Sequence, residues 1–303
     1  MAKLHTPAME RAARKNTDRN GNAIKSTPGR EAWKRLYRNK TALLGICIIL
    51  FFVFVAIFAD WLAPYASDEQ NYSAMYQSPS VKHWFGTDEY GRDIFSRCLY
   101  GTRYSLGIGV CCVIASALTS GFLGIVAGYA GGKVDNIIMR IMDVLQAIPQ
   151  VLLAIALVSV LGNGIPQLVL AVTLSSMPAI SKSTRAAILM VRSNDYVESS
   201  RAIGVDGLQL IMTHLVPNAV GIIVIQLVSM LSNSIIIISS LSYIGVGISA
   251  PTPEWGAILN GGKLYFMTYP HMVLFPVMTL MLACFGFNLL GNGLRDAFDP
   301  RLK

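Results

Sequence analysis

The sequence predicts an all-α membrane protein that crosses the bilayer six times. Its composition is the first observation: 53% of the 303 residues are hydrophobic and only 14% are charged. The second is that five stretches, each of 19 residues or more, contain no Asp, Glu, Lys or Arg. A bilayer crossing takes about 20 apolar residues, and a helix satisfies its own backbone groups in lipid. The five stretches therefore predict a polytopic helical protein.

Turn residues inside two of these stretches set the number of spanning helices at six. The sequence Gly162-Asn163-Gly164-Ile165-Pro166 is typical of a tight turn, so the stretch around it holds two helices. The stretch before Glu254 begins with polar residues, and only about 30 residues remain beyond Asn218, which suffices for one tilted helix. We therefore expect spans within 41–59, 104–129, 137–161, 166–189, 220–248 and 272–290.

The distribution of basic residues predicts the orientation. With the N-terminus inside, the inner loops and tails carry 20 Lys and Arg, and the outer loops carry 5. Basic loops stay in the cytoplasm, so both termini are expected there. This orientation divides the chain into a basic cytoplasmic tail (1–40), the first span (41–59), an extracytoplasmic loop (60–102), a core domain (103–293) and a cytoplasmic tail (294–303).

The basic tail accounts for the whole net charge of the chain, which is +8. Residues 1–40 contain 11 basic and 3 acidic side chains, so the excess lies beside the first span and suits anionic lipid headgroups rather than nucleic acid. Thr27-Pro28 can start a short helix on the membrane surface, with Trp33, Leu36 and Tyr37 on one face. A basic juxtamembrane segment without a helix is the alternative.

No pattern of catalytic or metal-binding residues occurs in the sequence. The four histidines lack HExxH spacing, and neither a GxSxG nor a GxxxxGK[ST] motif is present. Four of the five cysteines fall in apolar stretches without CxxC spacing, which indicates packing rather than metal or redox chemistry. We expect a non-enzymatic chain that binds no metal and no cofactor of its own. If the chain is part of a pump, another chain hydrolyses the ATP.

A short polar segment lies between the fourth and fifth spans, on the predicted cytoplasmic side. It reads Asn194-Asp195-Tyr196-Val197-Glu198-Ser199-Ser200-Arg201-Ala202-Ile203-Gly204 and continues to His214-Leu215-Val216-Pro217-Asn218. Small side chains let such a segment approach a partner closely. Gly204 permits a positive φ, and Glu198 and Arg201 offer charge-assisted contacts. An ordinary amphipathic loop is the alternative interpretation.

This segment resembles the coupling loop of ABC-importer permeases, which reads Glu-Ala-Ala, three residues, Gly, nine residues, an apolar pair, a spacer and Pro. Glu198-Ser199-Ser200, Gly204 and Pro217 fall in register, and both departures are Ala→Ser changes that keep the side chains small. We call residues 194–218 the coupling segment. The resemblance implies that an ATPase is contacted through Asp195, Tyr196, Glu198, Ser199, Ser200, Arg201, Ala202, Gly204 and Pro217.

Three further segments look like signatures of the dipeptide/oligopeptide/nickel permeases, and of their C-type subunit. They are residues 85–106, Pro251-Thr252-Pro253-Glu254-Trp255-Gly256, and Gly293-Leu294-Arg295-Asp296-Ala297-Phe298-Asp299-Pro300. The resemblance covers nearly the whole chain. It implies a type I ABC-importer permease fold and the import of dipeptides or oligopeptides, with nickel, a metal–metallophore complex or a glutathione-like compound as alternatives.

The same resemblance implies the partners. They are a second homologous permease subunit, two cytoplasmic ATPases that bind ATP and magnesium, an extracytoplasmic substrate-binding protein, and the lipids of a bacterial or archaeal cytoplasmic membrane. A self-sufficient channel or ion-coupled carrier is the alternative of another class, and the missing inverted repeat argues against it. A non-transporting scaffold would leave the register of the coupling segment unexplained.

Charged residues are concentrated in the loop after the first span. We call this set the outer cluster: Asp88, Glu89, Arg92, Asp93 and Arg97. Charge networks often hold a loop in its fold, and here such a network would seal the outer mouth of the protein. Docking of a substrate-binding protein is the alternative role.

Polar residues inside the spans are the remaining candidates, because polar groups in lipid are costly and are often functional. Arg140 and Asp143 are expected to pair on one helix face, with proton carriage by Asp143 as the alternative. Spans five and six carry several Ser and Asn side chains. Candidates for the translocation pathway are Asp143, Ser229, Ser232, Asn233, Ser240 and Asn288. The Ser and Asn side chains would serve equally well to bridge helices by hydrogen bonds.

Overall fold

The computed structural model describes residues 35–298, and helices make up most of them. β-Pairing within these residues consists of one bridge that joins Thr87 to Asp93. The all-α class is therefore confirmed. In chain order, the helices are α1 (Lys40–Leu62), α2 (Ile94–Ala130), α3 (Gly132–Gln146), α4 (Gln150–Leu161), α5 (Ile165–Arg192), α6 (Asp195–Ala202), α7 (Gly207–Leu210), α8 (Val216–Ile244), α9 (Trp255–Gly262) and α10 (His271–Phe298).

Four helical segments in the described part of the chain are long and apolar enough to cross a membrane. They are α1, α2, the continuous helix Gly207–Ile244 that contains α7 and α8, and α10. The bent pair of α3 and α4 gives a fifth crossing if it forms one broken span. Helix α5 has 28 residues but is less apolar, since it carries a row of buried Ser and Thr side chains. The count of six, and the side of each terminus, stay predictions.

The span expected within 137–161 does not form one continuous helix. The chain forms α3 and α4 there, and their axes meet at 88°. Pro149 explains the break, because proline has no N–H to donate and disfavours helical backbone in the residue before it. Its own backbone is extended, with ψ at 132°, and α4 begins at the next residue.

Several of the other helices begin or end away from the apolar stretches that predicted them. Helix α2 begins at Ile94, inside the charged loop, because Asp93 caps its first turn: Asp93 Oδ2 accepts a hydrogen bond of 2.7 Å from the backbone N–H of Ser96. Helix α8 ends at Ile244 rather than near 248, because Gly245 has φ of 99° and turns the chain out of the helix. The prediction from uncharged stretches takes account of neither the Asp93 cap nor the turn at Gly245.

Helices α2 and α5 pack closely at two glycines of α2. A Cβ atom on Gly124 would lie 2.6 Å from the carbonyl oxygen of Ser181, and one on Gly128 would lie 2.9 Å from Cβ of Ile188. The two glycines are four residues apart, which is the spacing that lets helix backbones approach in membranes. Helices α2 and α5 therefore pack closely against each other along this part of their length.

Different segments of the chain lie at the two ends of the helical bundle. At the outer end, the segment 63–93 and α9 cover the start of α2, and Arg97 Nη1 donates a hydrogen bond of 2.8 Å to the carbonyl of Ser67. At the opposite end, which we call the coupling end, α6 lies against the bundle. Asn39 Nδ2 and Asp296 Oδ2 are 3.2 Å apart, which brings the start of α1 and the end of α10 together.

The expected surface helix around Pro28 lies almost entirely outside the described residues, and so does Trp33. Leu36 is only 3% exposed and packs with Ala42 and Ala297, whereas Tyr37 is 60% exposed. Leu36 therefore contacts the protein's own α10. It packs against protein rather than against the membrane surface, whereas the surface helix itself stays a prediction.

Candidate coupling site and outer cavity

The coupling segment begins with α6, which one buried side chain holds to the bundle. Val197 is 1% exposed and belongs to the same apolar cluster as Ile188 and Val191 of α5. The acidic residues lie in the first turn of α6 and Arg201 lies in the last, as the helix dipole favours. Ser200 is half-buried, and the exposed side chains are Asp195, Tyr196, Glu198, Ser199, Arg201 and Ala202.

The two serines of α6 satisfy their hydroxyl groups within the helix. Ser199 Oγ donates to the carbonyl of Asp195 at 2.9 Å, and Ser200 Oγ donates to the carbonyl of Tyr196 at 2.8 Å. Neither hydroxyl needs a partner from outside. Each serine therefore presents a small side chain whose hydroxyl group already has a hydrogen-bond partner. This explains why serine can replace the alanine of the loops that the segment resembles.

Gly204 ends α6 with φ of 82°, a conformation that side chains with a Cβ atom rarely adopt. No described atom lies within 4 Å of the place that a Cβ on Gly204 would take. The requirement for glycine is thus one of backbone conformation and not of space. The turn directs the chain from α6 back towards α7.

Tyr129, in the last turn of α2, contacts the coupling segment on both sides of Gly204. The guanidinium carbon of Arg201 lies 5.6 Å from the centre of the Tyr129 ring, a cation–π distance. Gly207 is so close to the phenol oxygen that a Cβ atom there would overlap with it. Sequence reasoning missed Tyr129, because these contacts join segments that are far apart in the chain.

Pro217 is exposed near the start of α8, and the helix around it does not break. A π-helical turn, Ile211–Leu215, joins α7 to α8, so that one helix of 38 residues runs from Gly207 to Ile244. The coupling segment therefore continues into a membrane helix without an intervening loop.

Four members of the outer cluster come together around Asp88. Its carboxylate accepts a hydrogen bond of 2.6 Å from Arg92 Nε, and hydrogen bonds of 2.9 Å from the backbone N–H groups of Tyr90 and Arg92. Arg97 Nε lies 3.9 Å from Asp88, and Glu89 lies 3.6 Å from Arg92. The predicted charge network is present, and Asp88, Arg92 and Arg97 are buried in it.

Asp93 belongs to a separate set of contacts. Besides capping α2, it lies 2.9 Å from Nδ1 of the buried His83. Sequence reasoning missed His83, because the histidines were tested only for catalytic or metal-binding spacing.

A cavity of about 210 Å³ separates the outer cluster from the outer ends of α8 and α9. Two charged groups that line it are incompletely paired. Among the described residues, neither Arg97 Nε nor Glu89 Oε2 has a hydrogen-bond partner. Burial raises the pKa of the Glu89 carboxyl above its ordinary value. We call this space the outer cavity.

Glu254 joins three helices at the outer end, although the sequence marked it only as part of a signature. Its fully buried carboxylate accepts hydrogen bonds from Ser105 Oγ of α2 at 3.2 Å and from Ser239 Oγ of α8 at 2.7 Å. A third comes from the backbone N–H of Ala257 in α9, at 3.0 Å. Glu254 therefore fixes the position of α9 over α2 and α8.

The expected pairing of Asp143 with Arg140 is wrong. Asp143 Oδ1 lies 2.6 Å from Lys182 Nζ of α5. Earlier in α3, Asp135 accepts two hydrogen bonds of 2.5 Å from Arg185 of α5. Helix α3 runs beside α5, so its acidic side chains meet basic partners across the helix contact rather than along their own helix.

The remaining pathway candidates differ in their surroundings. Asn233 and Asn288 are exposed, and Asn233 Nδ2 donates to Gln150 Oε1 at 3.3 Å, beside the break between α3 and α4. Ser240 is half-buried and bonds within α8. Ser232 Oγ instead donates to the carbonyl of Cys284 in α10 at 3.3 Å. Ser229 likewise lies against α10, beside Gly291. Ser232 thus bridges helices, the alternative that the sequence left open.

The chain matches two protein-family models. Residues 120–303 match the binding-protein-dependent transport system inner membrane component. Residues 27–79 match the N-terminal TM domain of oligopeptide transport permease C.

Two relatives illustrate the similarity. The glutathione transport system permease protein GsiD of Escherichia coli is 42% identical over 278 residues, which are 91% of this chain and 92% of that protein. The dipeptide transport system permease protein DppC of Alkalihalophilus pseudofirmus is 38% identical over 277 residues, which are 91% of each chain.

One solved structure, an inward-facing form of the MetNI methionine ABC transporter, contains a chain of the same fold. The TM-score is 0.57 at 17% sequence identity, with 67% of this chain and 97% of that chain covered. The likeness concerns the fold alone, and it agrees with the permease fold expected from the sequence. The protein thus belongs to the binding-protein-dependent inner membrane components, and within them to the permeases of peptide ABC importers.

Proposed function

We propose that this chain is the C-type permease subunit of an ATP-driven importer of dipeptides or other small peptides in a bacterial cytoplasmic membrane. The observation that carries the proposal is α6, a short helix with a free surface of small and charged side chains. A motor protein needs such a surface, because close contact requires small side chains and firm contact requires charge-assisted bonds. Two relatives are named for the transport of glutathione and of dipeptides, which supports small peptides as the substrate class.

The complete importer would contain this chain, a second homologous permease, two ATPase subunits and an extracytoplasmic binding protein. ATP and magnesium would bind to the ATPases, so this chain would need no cofactor. The translocation pathway would lie between the two permeases. Apolar side chains exposed on α1 and α10 would contact lipid or the second permease.

The coupling step follows from the contacts behind α6. When ATP binding closes the two ATPases, each would displace the helix that it holds. Val197 packs with side chains of α5, and Tyr129 of α2 contacts both Arg201 and Gly207. Helix α8 continues the same segment without a loop. One displacement of α6 would therefore move α2, α5 and α8 together and switch the pathway between inward-facing and outward-facing forms.

The pathway itself would be lined by polar groups of α8 and α10. Asn233 and Ser240 are seven residues apart on α8, which is about two helical turns and places them on one face. Asn233 pairs with Gln150, and Asn288 adds an exposed amide on α10. Asp143, neutralised by Lys182, would lie nearer the coupling end. Neutral amides and hydroxyls suit a peptide backbone, since they can exchange hydrogen bonds with it along its length.

The experiment that tests this proposal is affinity purification of the tagged chain from its native host, followed by reconstitution into liposomes. Recovery of a second permease and two ATPases, with dipeptide uptake that needs ATP and the binding protein, would support it. Uptake by this chain alone without nucleotide would replace the proposal with a channel or carrier. ATP-driven uptake of nickel or a metallophore, without uptake of peptides, would keep the importer and change its substrate.

A further inference from the structure

Helix α3 has its polar side against the protein and an apolar side on the surface. Four apolar side chains are spaced three or four residues apart, so they lie on one face. Their exposed fractions run from 44% to 64%, and we call them the apolar row: Val134, Ile137, Ile141 and Val144. On the opposite face, Asp135 and Met142 are buried. A helix in contact with water would have the reverse arrangement, so the row needs an apolar partner.

Two ion pairs with α5 determine which face of α3 points outwards. Asp135 accepts two hydrogen bonds from Arg185, and Asp143 Oδ1 lies 2.6 Å from Lys182 Nζ. Both acidic side chains are thereby neutralised within the protein. Rotation of α3 about its own axis would break both pairs, so the apolar row stays on the surface.

Helix α3 meets α5 at the level where the hydrocarbon core ends on the coupling side. Arg185, the partner of Asp135, lies 20 residues after Ile165, the first residue of α5. That distance is about 30 Å along the helix, which equals the thickness of the hydrocarbon core. Helix α3 also turns by 88° from the direction of α4. This level and this angle suit an amphipathic helix between headgroups and acyl chains. The level rests on the proposed function, in which α5 spans the membrane with the coupling end inside.

Two exposed basic side chains lie along one edge of the apolar row. Lys133 is four residues before Ile137, and Arg140 is four residues before Val144, so each lies one turn from a member of the row. The two basic residues are themselves about 10 Å apart along the helix. In the part of the chain that the structure describes, neither forms an ion pair. Both charges are therefore open to a partner.

An open groove of about 620 Å³ runs along this edge, beside Ile137, Arg140 and Ile141. A water molecule takes about 30 Å³ of the liquid, so the groove has room for about 20 non-hydrogen atoms. A phospholipid headgroup with its glycerol and the first carbons of an acyl chain is of that size. Asp143 lines the far side of the groove, where Lys182 neutralises it. Arg140 is therefore the charged group that a ligand in the groove would meet unpaired.

We propose that α3 binds anionic phospholipids of the inner leaflet, with acyl chains on the apolar row and phosphate groups on Lys133 and Arg140. The inner leaflet carries the negative surface potential that attracts such basic residues. A neighbouring protein would need acidic side chains opposite them, whereas the cores of protein interfaces are poor in charged residues. One phospholipid offers both an apolar chain and a phosphate. Since α3 follows α2 after the single residue Gly131 and is paired with α5, the bound lipid anchors the coupling-side parts of both helices.

The test measures fluorescence quenching by brominated lipids. Ile141→Trp places an indole in the apolar row, and the chain is studied in phosphatidylcholine nanodiscs, with the partners that co-purify and without nucleotide. Subtraction of the signal from the same complex without this substitution removes the other tryptophans. Brominated phosphatidylglycerol and brominated phosphatidylcholine are then added in turn at increasing mole fraction. The anionic lipid should reach half-maximal quenching at a mole fraction at least about fivefold lower, because one basic side chain near the surface contributes about that factor.

Three matched variants locate the site. Lys133→Gln and Arg140→Gln remove one charge each, and each should raise the half-quenching mole fraction of phosphatidylglycerol about fivefold. Lys82→Gln makes the same change at an exposed basic residue of the outer loop, and it should leave that mole fraction unchanged. Added salt should weaken the preference for phosphatidylglycerol, because it screens exposed charges.

Absence of quenching by either lipid would overturn the proposal, because protein such as the second permease would then cover the apolar row. Equal quenching by both lipids, or unchanged quenching in Lys133→Gln and Arg140→Gln, would overturn it in favour of bulk lipid without an anionic site. If Ile141→Trp does not fold, native mass spectrometry decides instead. Fewer retained phosphatidylglycerol molecules in Arg140→Gln than in the wild type support the site, and equal numbers contradict it. Since neither ATP nor uptake enters these measurements, their failure and the failure of the proposed importer function are distinguishable.

Discussion

Ser239 donates a hydrogen bond of 2.7 Å to the buried carboxylate of Glu254, whereas its neighbour Ser240 donates to the carbonyl of Ile236 in the same helix. Two adjacent residues of one type therefore have different roles. Ser239 joins α8 to the start of α9, and Ser240 adds nothing between helices. The pair offers a matched test of how much Glu254 contributes to the outer end.

Ser239→Ala should lower the free energy of unfolding by about 1–3 kcal/mol, because it removes one of three donors from a buried carboxylate. Ser240→Ala should change it by less than about 0.5 kcal/mol. Thermal unfolding of the two variants in the same detergent makes the comparison. Equal effects of the two substitutions would contradict a special role for Ser239 and Glu254.

Gly124→Ala should destabilise the contact of α2 with α5 by about 1–3 kcal/mol. The added Cβ would lie 2.6 Å from the carbonyl oxygen of Ser181, and that backbone atom moves only if α5 moves. Gly121→Ala is the control, because no neighbouring atom of the described residues lies within 4 Å of its Cβ position. Alanine favours a helix over glycine by up to about 1 kcal/mol, so Gly121→Ala should be neutral or stabilising. The unfolding midpoint of Gly124→Ala should therefore fall below that of the wild type, whereas the midpoint of Gly121→Ala should equal or exceed it.

Substitutions of Gly204 should uncouple uptake from ATP hydrolysis in the order Asn, Ala, Val, with Val the most severe. The φ of 82° is tolerated by Asn better than by other residues, and a left-handed conformation costs a residue with Cβ about 1–2 kcal/mol. The ratio of peptide uptake to ATP hydrolysis in liposomes checks the order. Normal coupling in Gly204→Val would count heavily against a role of this turn in force transfer.

Arg185→Lys should destabilise the packing of α3 on α5 by about 1 kcal/mol, because lysine cannot make the two parallel bonds that Arg185 makes to Asp135. Combination with Asp135→Asn should cost less than the sum of the two single changes, since both remove one interaction. Arg140→Lys, at an exposed position of α3, is the control and should have no effect. Additive effects of the Asp135 and Arg185 changes would show that the pair contributes no coupling energy.

Acid should stabilise the outer end through Glu89. Burial raises the pKa of this carboxyl in the folded protein above its ordinary value of 4.5. The protonated form thus favours folding, and this contribution is lost as the pH rises through the folded-state pKa. Glu89→Gln should therefore unfold at a higher temperature than the wild type at neutral pH, and the difference should shrink on acidification towards about pH 4. A difference that is constant with pH would exclude Glu89 as its source.

Local structure could be predicted from the sequence where the interacting residues are close together in the chain. Consecutive residues single out the coupling segment, and the structure has the helix α6 and a turn at Gly204 within it, whereas its coupling role stays a prediction. The outer cluster was also predicted, because Asp88, Glu89 and Arg92 are close in the chain and pair locally. In both cases the contacts that matter join residues a few positions apart.

Contacts between residues that are far apart in the chain could not be predicted in this way. Asp143 was assigned to Arg140 on its own helix, whereas its partner Lys182 lies on another helix. Tyr129 and Glu254 were not singled out as site residues, since their roles exist only after α2, α5, α8 and α9 have packed. The break at Pro149 was visible in the sequence, and it was missed because counting uncharged residues ignores proline.

Helix α2 runs without interruption from the outer cluster to Tyr129. Its 37 residues, at about 1.5 Å each, make it about 56 Å long, whereas the hydrocarbon core of a bilayer is about 30 Å thick. A tilt of about 10° about one end would therefore carry the other end through about 10 Å. In the importer proposed above, such a helix would act as a lever that extends beyond both faces of the bilayer. A loaded binding protein at the outer end and the nucleotide state at the coupling end would then change the same tilt angle. A change on either side of the membrane would therefore reach the other side through this one helix.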